Sequence, residues 1–153
     1  MERITQGRNN SSDELWRWSA RQLARGIATG QVSAREVVES CLARIDTVNP
    51  RLTALVKVSG EEALEAAAEA DRRRASGAQL GPLHGVPVAI KVNSDQAGHA
   101  TTNGVAAFKD HLAGTDSPHV ANLRRAGAIF VGRSNTPASP IAGPPATTCT
   151  VGR

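Results

Sequence analysis

The chain has 153 residues, of which 40% are hydrophobic and 21% charged, with a formal net charge of +4. This is the balance of a single soluble domain with a real core, and it excludes a low-complexity chain. No apolar run approaches the roughly 18 residues of a membrane span, and the N-terminus lacks the apolar core of a secretory leader.

Cys41 and Cys149 are the only cysteines, far apart and without the spacing of a disulfide scaffold or a zinc site. A cytoplasmic setting is therefore expected. Cys41 falls on an apolar helical stripe, where a buried inert thiol outweighs a nucleophile. The basic residues are 15 Arg and 3 Lys, mostly scattered; Arg72, Arg73 and Arg74 form the one dense run. That run ends a helical pattern, where positive charge complements the helix dipole. Without interleaved aromatics it argues against a nucleic-acid partner.

Taken along the chain, the first dozen residues are polar and expected to be disordered. Ser19 can cap a short helix carrying Leu23 and Ile27 and ending near Gly30. Ser33 and Glu36 have capping-box spacing. Behind them Val37, Val38, Cys41, Leu42, Ile45 and Val48 recur at helical spacing, and Asn49–Pro50 is expected to stop that helix. Residues 52–58 read as a strand. An Ala-rich helix follows over 61–75, closed by Ser76 and Gly77. The turn-rich stretch Gly81-Pro-Leu-His-Gly85 feeds an apolar strand, Val86 to Lys91. Residues 93–115 read as loop. Ser117–Pro118 starts a short helix with proline at its first position, ending at Gly127, and 128–131 read as a buried strand. Strands alternating with helices predict an α/β fold, with helices on part of a mixed sheet.

Lys91 is the residue singled out for chemistry. It ends an apolar strand beside a Gly-rich loop, where desolvation or neighbouring positive charge can free a lysine to act as a base. On residue chemistry alone a solvated surface lysine is the commoner outcome. His84 could line a pocket or be an ordinary loop histidine. Thr101 to Gly104 could position a substrate or simply turn the chain. Asp95, His99 and Asp116 have no defensible metal-ligand spacing, and no phosphate-cradling Gly loop or GxSxG elbow is present. No cofactor and no metal are expected.

The run Gly81-Pro-Leu-His-Gly-Val-Pro-Val-Ala-Ile-Lys91, with Asn93, Asp95, Gly98 and Thr101-Thr-Asn-Gly104, resembles the N-terminal portion of the amidase signature family. Asp116-Ser-Pro118, Leu123-Arg-Arg-Ala-Gly-Ala-Ile-Phe-Val-Gly132 and Arg133-Ser-Asn-Thr-Pro137 extend the likeness, as do Val32 to Glu36 and Val48-Asn-Pro50 upstream. The resemblance runs from Leu15 to Pro137. It implies part of the amidase signature fold over 15–137, with 1–14 and 138–153 expected to be disordered.

By resemblance, Lys91 is the lysine of a Ser-cisSer-Lys triad that hydrolyses carboxylic amides through an acyl-enzyme, without cofactor or metal. The implied partner is a small-molecule amide; a homo-oligomer is left open. The ammonia-releasing subunit of a tRNA-dependent amidotransferase and a non-catalytic binding fragment are the alternative readings. Val92 stands where the family commonly has Asp. Both catalytic serines of the family belong to a Gly/Ser-rich stretch absent from these 153 residues, and neither Ser134 nor Ser139 replaces them. The 153-residue chain is therefore expected to be a truncated amidase and inactive as it stands.

From Pro137 onward the sequence holds four prolines in seventeen residues and no acidic group. With suitable codons, Ala138 to Arg153 read from each third base gives F-S-N-R-W-A-T-G-N-D-M-H-G-R, which resembles the family's continuation. A frameshift near codon 138 is the expectation this raises.

Overall fold

The computed structural model describes residues 11–136. The residues 1–10 and the 137–153 tail, with Ser139 and Cys149, lie outside the described residues. Two short 3₁₀ turns over Ser11–Arg17, joined across a kink at Glu14, open the described chain, so the stretch expected to be disordered to residue 14 takes up turn structure from residue 11. Leu15 explains this: its side chain is buried in the core, which gives the turn a tertiary anchor. Trp16 donates its backbone N–H to Ser40 Oγ at 3.3 Å and lies under the guanidinium groups of Arg17 and Arg44.

Helix α1, Ala20–Thr29, and helix α2, Ala34–Leu52, both begin with a capping box; the sequence predicts the box at Ser33 and Glu36 and only a cap at Ser19. Ser19 accepts from Gln22 N and Ser33 from Glu36 N, while the Gln22 and Glu36 side chains return bonds to the capping residues' N–H. Hydrogen bonds from Ser33 hold the Glu36 carboxyl below its ordinary range. Asp71 supplies the rest of the α2 cap across the fold, accepting from Ala34 N at 2.8 Å and Arg35 N at 3.1 Å. Helix α1 ends at Gly30 in the left-handed conformation.

The expected stop at Asn49–Pro50 is corrected: α2 runs through Pro50 to Leu52 and leaves the helix at Thr53. Proline removes one hydrogen bond but does not forbid the turn at a helix end. Asn49 then closes the chain reversal, its side chain bonding both Leu55 N and Leu55 O at 2.9 Å.

Strand β1 is shorter than expected, Leu55–Val58, and helix α3 is Gly60–Ala75. Helix α3 buries Ala63, Ala67 and Ala70, small residues that let it lie close against α2. Strand β2, Pro87–Lys91, helix α4, Pro118–Arg125, and strand β3, Ile129–Ser134, complete the fold. Strand β3 outruns the expected end at Val131 because Gly132, Arg133 and Ser134 keep pairing on both sides. The sheet order is β1-β3-β2, with β3 antiparallel to β1 and parallel to β2. The core joins Leu15, Leu23, Ile27, Val37 and Val38 of the helical layer to Val86, Ile129 and Val131 of the sheet.

His84 is one of the buried polar side chains of the fold. It is buried, with Nε2 2.9 Å from the Ala70 carbonyl. Its loop is laced to the α4–β3 corner by Leu83 N to Ala126 O and Gly85 N to Gly127 O, both 2.9 Å. Gly127 has φ +89°, and a Cβ there would sit 2.9 Å from His84 Cα, so close backbone approach and left-handed geometry both call for glycine.

Candidate functional site

Lys91 ends β2 directly opposite Ser134 of β3, which in turn pairs with Leu55 of β1. The neighbouring row across the sheet is Lys57, Arg133 and Ile90. Successive rows of a pleated sheet point to opposite faces, which separates Lys91 from Arg133. Lys91 is exposed, whereas its neighbours Ile90 and Val92 are buried. The lysine therefore stands at the C-terminal end of a parallel strand, beside the loop that follows it. In parallel sheets this end of the strand is where side chains and loops gather into sites.

The loop after Lys91 is highly organised. Ser94 N bonds back to Lys91 O at 3.0 Å, and Val92 N continues the ladder to Ser134 O at 3.0 Å. Asn103 N reaches Val92 O at 3.3 Å, which ties the Thr101–Gly104 turn to the residue that follows the lysine. Thr101 donates its hydroxyl to Asp95 Oδ1 at 2.7 Å, and Thr102 Oγ1 accepts from Gly104 N. Asp95 thus serves the turn, and its backbone carbonyl accepts from Ser117 N at the start of α4.

Asp116 accepts from Ala97 N at 2.8 Å and makes a bidentate pair with Arg124. The Arg124 guanidinium holds its carboxyl below the ordinary carboxylate range. His99 lies apart from both aspartates' bonds, with Nδ1 3.2 Å from Lys57 Nζ. An ammonium can only donate, so Nδ1 is the unprotonated nitrogen. Burial first and Lys57 second push the His99 pKa down. Asp95, His99 and Asp116 do not converge on one point, and the described residues contain no cluster of three or more metal-ligating side chains. No helix of the described residues is long and apolar enough to cross a membrane. Cys41 is half-buried and burial raises its thiol pKa, which keeps it protonated.

Sequence reasoning missed Arg133. It is 2% exposed and donates to Gln96 Oε1 at 3.1 Å, Ser94 O at 2.9 Å and Ala100 O at 3.2 Å. This one guanidinium ties the central strand to the first part of the loop that follows Lys91, from Ser94 to Ala100. A charged residue at the end of an apolar run was the only available signal, and such residues are usually surface groups.

The sequence model of the amidase family matches residues 36–143. The chain belongs to the amidase family. The match begins later than Leu15 and runs past Pro137, the two limits of the motif resemblance. An indoleacetamide hydrolase of Bradyrhizobium diazoefficiens is 51% identical over 123 residues, which are 80% of this chain and 24% of that protein. The A subunit of the glutamyl-tRNA(Gln) amidotransferase of Endomicrobium trichonymphae is 33% identical over 80% of this chain and 25% of its own length. The crystal structure of a bacterial aryl acylamidase of the amidase signature family superposes with a TM-score of 0.74 at 33% identity, covering 79% of this chain and 26% of that one. The chain thus spans about a quarter of the length of the relatives it matches. The mixed α/β architecture, with helices on a small mixed sheet, is that part of the amidase signature fold.

Proposed function

We propose that this chain forms the lysine-bearing portion of an amide hydrolase, with Lys91 as the base of a serine–serine–lysine relay. One observation carries the reading: Lys91 ends the parallel strand β2 with its carbonyl bonded by Ser94 N, and the next residue, Val92, is held by Ser134 O and Asn103 N, inside the motif that resembles the family's. These bonds fix where the side chain leaves the sheet, and in the relay its amine would take the proton of the bridging serine. The substrate class is a small carboxylic amide, with an arylacetamide favoured by the indoleacetamide hydrolase at 51% identity.

The 153 residues span about a quarter of the relatives' length, so the reading is tested inside a full-length relative. A chimaera tests the reading. Residues 15–137 would replace the matching quarter of the Bradyrhizobium indoleacetamide hydrolase, and indoleacetamide turnover would be followed. An active chimaera that loses at least about 100-fold in kcat on Lys91→Ala supports the assignment. A folded chimaera whose activity survives Lys91→Ala overturns it. The match to the A subunit of an amidotransferase favours a second reading, in which the amide cleaved is a source of ammonia for a partner protein. A chimaera built on that A subunit would select this reading if it turned over glutamine in place of indoleacetamide.

A further inference from the structure

On the face of the sheet opposite Lys91, a cavity of about 520 Å3 opens between β1, Val92 and the segment from Gly98 to Leu112. Its volume lies within the roughly 300–1,000 Å3 of small-molecule sites. Val56, Val92, Ala100 and Leu112 give it an apolar wall, and its ionisable groups are Lys57, His99, Lys109 and Arg133. No carboxylate of the described residues lines it. Glu62 stands outside the lining, its carboxylate 3.9 Å from His99 Nε2, and Asp95 acts on Arg133 only through its field.

Arg133 gives the cavity its character. Its guanidinium is almost wholly buried, its three hydrogen bonds all go to neutral oxygens, and its Nε has no partner among the described residues. A guanidinium carries five N–H donors, so donor capacity is left over, and a buried charge without a bonded counter-ion is costly. Lys57 and Lys109 add two exposed ammonium groups to the same cavity.

We propose that this cavity binds a small organic anion, with a carboxylate among Lys57, Lys109 and Arg133 and an apolar body against Val56, Val92 and Leu112. The site is independent of the amide-hydrolase reading, because Lys91 points to the other face. Charge complementarity selects the anion, and the four apolar side chains select an organic body over an inorganic ion.

The test is ligand-observed NMR on the full 153-residue chain with three probes: benzoate, the neutral benzyl alcohol, and inorganic phosphate. Benzoate is expected to bind and benzyl alcohol and phosphate to bind at least about tenfold more weakly. The double variant Lys57→Gln with Lys109→Gln should weaken benzoate by about tenfold, with Gln retaining a donor for His99 Nδ1. Lys109→Gln alone, at a residue exposed and remote from the core, should show a smaller loss with an unchanged circular dichroism spectrum. Equal binding of benzyl alcohol, equal binding of phosphate, or benzoate binding untouched by the double variant would each overturn the proposal.

Discussion

Helices α1 to α3 and the loop from Val92 to Asp116 share one three-stranded sheet, but they are ordered in different ways. The helices carry their instructions locally: two capping boxes of four residues each, apolar stripes at helical spacing and a glycine stop. The loop has almost none of this. Its order comes from side chains remote in sequence, Arg133 above all, and from Asp116 and Arg124 holding Ala97. A segment built from local signals tolerates the loss of any one of them. A segment that takes three of its links from one buried guanidinium is more vulnerable to a single loss, and that segment is the one beside Lys91.

The largest break of this contrast is expected from Arg133→Met. Methionine roughly fills the space but leaves the oxygens of Gln96, Ser94 and Ala100 without their donor, at a cost of about 2–4 kcal/mol. Amide exchange and limited proteolysis should then rise across 93–116, while α1 to α3 keep their protection. Equal loosening of both regions would show that the loop and helices fold as one unit.

A smaller effect is expected in the helical layer. Ser33→Ala removes one half of a capping box, about 1 kcal/mol by denaturant titration. Asp71 still holds Ala34 N and Arg35 N, so the loss should fall short of that of Asp71→Ala combined with Ser33→Ala.

The smallest and most local effect is one of pH. The folded state lowers the His99 pKa from 6.5, so it disfavours the protonated ring. Stability is full above the unfolded value and falls as pH drops from about 6.5 through the lower folded value. Exchange near Lys57, Gly98 and Ala100 should increase on acidification, and His99→Gln should remove the dependence. The Asp116 carboxyl acts later, since its lowered pKa keeps the Arg124 pair intact until more acidic conditions.

Much of the fold is legible from the residues alone. Ser19, Ser33 and Gly30 mark helix ends because capping is chemistry between residues three or four apart, and Val86 to Lys91 reads as a strand for its run of apolar groups. Lys91 itself is visible as a lysine ending an apolar strand, and its family motif gives it a role to test. The continuation of β3 through Ser134 was decided by pairing with two neighbouring strands, while α2 passes Pro50 before the Asn49 bridge to Leu55 closes the turn. The placement of His84 against Ala70, of Asp71 on the α2 cap and of Arg133 under the loop also belongs to the tertiary structure. Each joins residues from 14 to 39 positions apart. Local periodicity carries no record of such pairs, because a buried polar group finds its partner only after the chain has brought the two segments together.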